Sequence, residues 1–463
     1  MRRFGYLSLI LSLIFVTTGL AQGNPTAVRT EDTIHSAAGE LGQESGHSTR
    51  RPQVDDDDNS SQTDMPIELS GPVEIIDTAH FRVHYTDSGA DSVTNDYITL
   101  VVLALEEAWA IQIDQMGWPA PPPDPDGDGH YPVFVASLKD TETALLGYVR
   151  NQEIIGDNPN SGYVERWAAY SFMVLENDFA EVRSGGGDPI DLMRATVAHE
   201  FHHAIQFGYD AAETHDWYYE ATATWMEIAT FDLGFSAVEY IEDNFDYPEV
   251  CFGAPDIDDV SLEYGDWTFI QSLVDRHGSQ IVIELWDNIA RVEGFTALEQ
   301  TLAAYDETLV EAVLRHHLQT LMRSYPDIDD ISASVWLTNT IRDTGTWQPD
   351  DLGVQELGAN FFHLKRPPGT YEIEVSGGNG DLTLWAIGIR DGEAQVTALE
   401  RGGTVSTDSY DQVYIMVFNT DYDESVDDCD YVEYSLKVTN STVDPLVPML
   451  TMDATHFTPL MMR

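Results

Sequence analysis

The chain has 463 residues and an extreme charge, with 80 acidic residues against 22 basic ones and a formal net charge of −58. Because a phosphate backbone and an anionic membrane both attract basic surfaces, this balance argues against nucleic-acid binding and against binding to anionic lipids. Acid spread along the chain, with only three lysines, indicates either a halophilic protein, whose self-repulsion is screened by salt, or an acidic exported protein with calcium sites.

The N-terminus has the features of a secretory signal peptide. Arg2 and Arg3 precede a short apolar run that ends in small residues near Ala21. We therefore expect a signal peptide over 1–21 and a secreted, or otherwise extracytoplasmic, mature chain without a membrane span. Residues 22–65 are polar and contain almost no aromatic residues, so we expect a disordered linker or pro-segment there.

The elements that follow predict an α+β fold, because strands come first and helices second. Alternating patterns predict strands at 80–86, 131–138, 144–151 and 168–178, and helical periodicity predicts helices at 93–118, from Pro189 to about Phe207, at 217–231 and onward to about Tyr325. Together they predict one domain over 66–350. Short alternating strands with glycine turns predict an antiparallel β-sandwich over 355–440, followed by a tail of 441–463. Cys251 and Cys429 either pair or remain isolated thiols.

A histidine-rich stretch lies on the helix that begins at Pro189. His199, Glu200 and His203 form an HExxH motif. Residues i and i+4 share one helix face, so the two imidazoles can bind one zinc ion while Glu200 stands beside it as a general base for a zinc-activated water. His202, three residues after His199, could compete as a ligand, but it would share an ion poorly with the i,i+4 pair and is interpreted as core or pocket lining.

The helix at 217–231 offers the third ligand that a catalytic zinc site requires. Glu220 lies among aromatic residues and alanines, where an acid is costly unless it is paired or metal-bound. Glu227, two turns further on, is either a carboxylate that orients an imidazole or a solvated or salt-bridged side chain.

These two helices resemble a known family. "HEFHHAIQFGYD" and "WYYEATATWME" are similar to segments of secreted bacterial HExxH proteases of the gluzincin type. Two positions depart from the family pattern, His202, where an aromatic residue is usual, and Ala221, where glycine is usual. The resemblance implies a zincin-like domain with a mixed sheet and a helical C-terminal part, and zinc on His199, His203 and Glu220.

By the same resemblance, Tyr264, which precedes a helix after the third ligand, either donates a hydrogen bond to the oxyanion or is a packing tyrosine. His277 and His215 are less favoured candidates for this donor.

Two further features carry weaker predictions. Asp124, Asp126 and Asp128 alternate before Gly129 as in an EF-hand loop, but Val135 stands where the bidentate glutamate belongs. The loop therefore either binds Ca²⁺ in another form or is a polar turn. His316 and His317 have no acid at ligand spacing, which predicts surface residues.

Taken together, these patterns predict a secreted zinc endopeptidase that acts on a protein or peptide. An edge strand, expected at 168–176, would hold the extended substrate by main-chain hydrogen bonds. The alternatives are an aminopeptidase or other zinc hydrolase, and a non-catalytic, calcium-stabilised surface-adhesion protein. Oligomeric state is not predicted.

Overall fold

The computed structural model describes residues 9–13, 67–124, 127–138, 145–179, 188–233, 237–256, 260–325, 333–349, 353–378, 381–426, 429–448 and 450–452. The chain divides into two compact units. The first comprises Met1–Ala212, Met226–Ser236 and Asp256–Val260, and the second comprises Glu213–Trp225, Ala237–Pro255 and Ser261–Arg463. The predicted linker at 22–65, and the predicted signal peptide apart from 9–13, lie outside the described residues. The elements agree with the predicted mixture of α and β structure.

The first unit contains a six-stranded mixed sheet. Its strands are β1 (Leu9–Leu13), β2 (Glu74–Asp77), β3 (Phe81–Tyr85), β4 (Tyr131–Ala136), β5 (Leu145–Gly156) and β6 (Ala168–Glu176), in the order β1-β5-β6-β4-β3-β2. The β3–β4 and β4–β6 pairs are parallel and the others antiparallel.

The prediction that 168–176 forms an edge strand is wrong. β6 lies inside the sheet, because β5 pairs with one of its sides and β4 with the other. All but one of its residues are buried, which agrees with a central position. β5 is the strand whose outer side pairs only with the short β1, in an antiparallel register.

Three helices complete the part of the fold that carries the HExxH motif. They are α1 (Asn95–Trp109), α2 (Pro189–Phe207) and α3 (Trp217–Phe231). α2 begins as predicted, with Pro189 in the first turn and the Asp188 side chain accepting a hydrogen bond from the Ile190 amide. It packs against α1, β5 and β6 and is buried almost throughout from Leu192 onward, so its histidines are fixed by packing.

The helix predicted at 93–118 ends earlier as a regular helix. After Trp109 the chain continues as a π-helical segment, Ala110–Gln115, in which Gln112 is buried. A π-helix widens the turn and redirects side chains relative to an α-helix. The segment turns Gln112 toward α2, where it forms hydrogen bonds that are described with the site below.

The second unit begins with helices and ends with a β-sandwich. The helices are α4 (Ile241–Asp246), α5 (Leu262–Gly265), α6 (Trp267–His277), α7 (Gln280–Ile289), α8 (Gly294–Ala303) and α9 (Leu309–Met322). α9 begins with a capping box between Thr308 and Glu311. His316 and His317 of α9 are only 3% and 7% exposed, so the prediction that they lie on the surface is wrong.

The sandwich consists of two sheets that share one apolar core. The strands are β7 (Asn339–Ile341), β8 (Gly345–Trp347), β9 (Ala359–Leu364), β10 (Thr370–Gly377), β11 (Leu382–Arg390), β12 (Glu393–Glu400), β13 (Gly402–Ser406), β14 (Gln412–Asn419), β15 (Tyr434–Asn440) and β16 (Leu450–Met452). One sheet has the order β13-β10-β15-β8 and the other the order β16-β12-β11-β14-β9-β7. Alternate residues of both sheets, such as Ile373 and Leu384, meet in this core. The strands at 339–347 and 450–452 extend the sheets beyond 355–440.

A disulfide between Cys251 and Cys429 joins two loops of the second unit. It resolves the alternative that the sequence leaves open in favour of pairing, and agrees with an oxidising compartment. Among the described residues, no helix is long and apolar enough to cross a bilayer.

Candidate metal centre

The side chains of the three predicted ligands lie close together. One donor atom each from His199 and His203 of α2 and from Glu220 of α3 lie within 4.8 Å of one another. The three side chains are buried, with 3%, 0% and 5% exposure. Among the described residues, this is the group of histidine and carboxylate side chains that could hold a metal ion.

Each of the two histidines on this helix face has a hydrogen bond to its Nδ1 atom. Nδ1 of His199 lies 3.0 Å from Oε1 of Glu227, and Nδ1 of His203 lies 2.7 Å from Oε1 of Gln206. Because these oxygens accept, each Nδ1 carries the proton, and each Nε2 keeps a lone pair for a metal.

The two acceptors differ in how far the sequence predicts them. Glu227 is 5% exposed, so it is not the solvated side chain of the alternative interpretation but a carboxylate that orients His199. The sequence motif does not identify Gln206 as the acceptor of His203. Its position three residues after His203, on the same helix face, is the sequence signal that could have found it. The acceptor of His199 is thus a carboxyl group, whereas that of His203 is a carboxamide.

Glu200, the residue expected to act as a general base, is completely buried. The backbone of β5 passes directly beside it at Gly147. A Cβ atom on Gly147 would lie 2.8 Å from Cγ and 3.1 Å from Oε1 of Glu200, and 3.0 Å from Cγ2 of Thr196. Gly147 has no positive φ. A side chain at this position would therefore displace Glu200.

His202 does not join the metal group and forms part of the core, as predicted. It is fully buried, and its Nδ1 atom lies 3.3 Å from Oε1 of Gln112. Its ring meets Trp118 edge-on. Burial, reinforced by the neighbouring imidazoles, holds the pKa of His202 well below its usual range, so it is a neutral side chain.

The predicted oxyanion donor and its alternatives lie in the second unit. Tyr264 is 3% exposed and packs its ring against Tyr240 with the centroids 4.8 Å apart. His277 contacts Glu307 at 2.6 Å, and His215 contacts the carbonyl of Glu424 at 2.9 Å. Both histidines thus have structural partners, whereas the role of Tyr264 stays a prediction.

The loop that begins like an EF-hand has a structural role for one of its acids. Asp128 forms an ion pair with Arg82 at 2.6 Å and contacts His130 at 3.0 Å. Asp126 lies outside the described residues. The calcium prediction therefore stays a prediction, with Asp128 already committed to neighbouring basic groups.

The donors of the metal group suit a divalent cation. Two imidazoles and one carboxylate match the protein ligands of open metal sites, which keep a further position for water or substrate. Glu200, Glu220 and Glu227 are 0%, 5% and 5% exposed. Because buried carboxylates are costly without compensating positive charge, a cation would stabilise this set.

No protein-family model and no curated protein matches the sequence. PliG of Aeromonas hydrophila, a periplasmic inhibitor of g-type lysozyme, is 15% identical over 22% of this chain and 96% of its own, with a TM-score of 0.17. A mutant of PliG-Ec from Escherichia coli is 13% identical over 22% of this chain and 98% of its own, with a TM-score of 0.14. Likenesses this weak carry no argument about fold or function.

Proposed function

We propose that this protein is a secreted, zinc-dependent endopeptidase with a zincin-like domain. The observation that carries the proposal is the buried group of His199, His203 and Glu220 with Glu200 on the same helix turn. The nitrogen and oxygen donors favour zinc, which prefers imidazole and carboxylate ligands in four-coordinate sites. An ion-binding site that was only structural would have no use for the additional acid at Glu200.

In the proposed hydrolysis, the metal ion and the side chains have different roles. When bound, zinc supplies Lewis acidity, which polarises the scissile carbonyl and lowers the pKa of a water. Glu200 accepts the proton of the attacking water and passes it to the departing amine. Glu227 and Gln206 keep the imidazoles of His199 and His203 in the tautomer that presents Nε2. Tyr264 is the candidate donor to the oxyanion.

The substrate would bind as an additional strand along the outer side of β5, through main-chain hydrogen bonds. β5 thus takes the place of 168–176 as the proposed peptide-binding strand. Leu9–Leu13 pairs with this side in an antiparallel register, with Leu11 opposite Tyr148. This segment belongs to the predicted signal peptide. Its removal would free the backbone groups of β5 for an extended peptide. Gly147 on the same strand abuts Glu200, so a peptide bound there would run beside the general base.

The decisive experiment combines metal analysis with hydrolysis. We expect purified protein to contain about one zinc per chain and to digest casein in concentrated salt, with loss of activity on chelation and recovery with Zn²⁺. Cleavage of peptides with blocked N-termini distinguishes an endopeptidase from an aminopeptidase. Protein that contains stoichiometric zinc but hydrolyses no peptide would contradict the proposal, and protein without zinc would favour the adhesion alternative.

A further inference from the structure

Gln112 is a buried side chain of the π-helical segment whose carboxamide has three polar neighbours. Its Nε2 atom donates to the carbonyl of Ala198 at 2.9 Å and to Oγ1 of Thr230 at 3.1 Å. Its Oε1 atom lies 3.3 Å from Nδ1 of His202. The side chain is 0% exposed, so water is not available to replace these partners.

The three partners determine the orientation of the amide. The Ala198 carbonyl can only accept, so Nε2 must face it, and Oε1 is then turned toward His202. His202 therefore donates from Nδ1. A carboxamide satisfies all three neighbours, because it combines two donor hydrogens with an acceptor. A carboxylate of the same shape would have no hydrogen to offer Ala198 or Thr230.

The partners belong to the two helices that carry the metal group. Ala198 and His202 enclose one turn of α2, the turn that contains His199 and Glu200. Thr230 lies on α3, one turn after Glu227, which orients His199. The carboxamide of Gln112 therefore forms hydrogen bonds both to the turn of α2 that carries His199 and to α3, the helix whose Glu227 orients His199.

We infer that Gln112 is a positioning residue for the metal centre, which sets the spacing of α2 against the end of α3 that carries Glu227. It does not touch the ion or the substrate. Its loss should allow the two helices to shift by a fraction of an ångström, which loosens the His199–Glu227 bond and the convergence of the ligands. This inference requires a metal site but not peptidase activity.

The test compares metal binding by folded variants. Zinc affinity is measured by competition with a chelator, and the visible spectrum of the Co²⁺-substituted protein reports ligand geometry. We expect Gln112→Met, which keeps a similar length and removes all three hydrogen bonds, to weaken zinc binding by up to about tenfold, the lower end of the loss typical of residues bonded directly to a ligand, and to change the Co²⁺ spectrum. Gln112→Glu should do the same.

Gln319→Met is the matched control. Gln319 is also buried, at 4% exposure, and donates to Asp275 from α9, a helix without a proposed ligand. Its replacement should lower the melting temperature while leaving zinc affinity and the Co²⁺ spectrum unchanged. Thr230→Val, a milder change that removes one of the three bonds, should weaken zinc binding by about threefold and serves if Gln112→Met does not fold.

The outcomes separate this inference from the proposed function. A folded Gln112→Met protein with wild-type zinc affinity and a wild-type Co²⁺ spectrum overturns the positioning role, whatever its stability. If Gln112→Met does not fold, wild-type behaviour of Thr230→Val overturns it. Wild-type protein that binds zinc tightly but cleaves no peptide overturns the proposed function alone, and wild-type protein that binds no zinc overturns both.

Discussion

Two helices of this protein each carry a pair of adjacent, buried histidines, and their surroundings differ in kind. On α2, His203 belongs to the group formed with His199 and Glu220, and the Nδ1 atoms of His202 and His203 face the side-chain amides of Gln112 and Gln206. On α9, Nε2 of His317 contacts the carbonyl of Leu357 at 2.8 Å, and the His316 ring meets the aromatic rings of Phe252 and Phe269. Burial and adjacency are common to both helices. What distinguishes α2 is a partner at i+4 spacing and a carboxylate from a second helix.

This difference predicts that the histidines of α2 affect metal binding and turnover, whereas those of α9 affect the stability of the fold. Substitutions on α2 should change metal binding or turnover with a modest effect on melting temperature. Substitutions on α9 should change melting temperature and its pH dependence without affecting the metal. Four experiments test this contrast, beginning with the largest expected effect.

Glu200→Gln should abolish nearly all hydrolysis while leaving the fold and the zinc content unchanged. The amide keeps the shape of the side chain but cannot accept a proton, and general base catalysis is worth roughly 10²–10⁴-fold. Casein digestion at high salt measures the loss. Glu311→Gln on α9, an exposed acid in a capping box, is the control and should retain full activity. If the Glu200→Gln protein were as active as wild type, Glu200 could not be the general base.

His203→Ala and His317→Ala compare the helices directly. Loss of His203 removes a ligand, so zinc affinity should fall by more than about 100-fold, the upper range for changes that act only through a ligand's partner. Loss of His317 should leave zinc affinity at the wild-type value and lower the melting temperature, because it empties a buried site and leaves the Leu357 carbonyl without its donor. Equal effects of the two substitutions on zinc would contradict the contrast.

Gly147→Ala should lower turnover roughly tenfold without removing zinc. The added Cβ would meet Cγ of Glu200 at 2.8 Å, so the base must move, and small displacements of reacting groups are costly. Gly162→Ala is the matched control, because Gly162 has open space around it and no positive φ. Stopped assays at several substrate concentrations separate turnover from binding. An unchanged turnover number would show that Glu200 tolerates the methyl group.

The sequence predicts the local parts of this site and not the distant ones. The local patterns are the HExxH spacing, Pro189 at a helix start and the apolar surroundings of Glu220, each of which lies within a single helix. The structure confirms both helices and brings His199, His203 and Glu220 together in a group that could hold a metal ion. Gln112 bonds to a residue 86 positions away, and Gly147 meets Glu200 across a strand–helix contact. No periodicity reports such contacts. Strand order likewise depends on long-range pairing, so the pattern of 168–176 does not reveal that β4 and β5 pair with both of its sides.

The burial of α9 differs from the prediction for another reason. The absence of an acid at ligand spacing around His316 and His317 indicates that they bind no metal, but it carries no information about their exposure. Leu309, Val313 and Leu318 are buried on the same helix, so burial of the histidines follows from packing around most of its circumference. The zincin-like assignment and the oxyanion role of Tyr264 stay predictions, because they depend on a resemblance and on a bound substrate.

The smallest expected effect is the pH dependence that α9 should confer on stability. Burial lowers the pKa of His317 from 6.5 to about 4, and burial also holds the pKa of His316 well below its usual range. Above about pH 6.5, His317 is neutral in the folded and unfolded chain and adds no pH dependence. Between pH 6.5 and 4 the unfolded chain binds a proton that the folded chain excludes. Stability therefore falls as the pH decreases, by at most about 1.4 kcal/mol per pH unit for each such histidine.

His317→Gln isolates this contribution, because an amide can still donate to the Leu357 carbonyl but does not titrate in this range. Melting temperatures from pH 7 to pH 4 should fall less steeply for the variant than for wild type, by a few degrees over the interval. Zinc affinity measured at pH 7 should be the same for both proteins. Identical slopes would mean that His317 is not held neutral by burial, and a change in zinc affinity would mean that α9 acts on the metal centre after all.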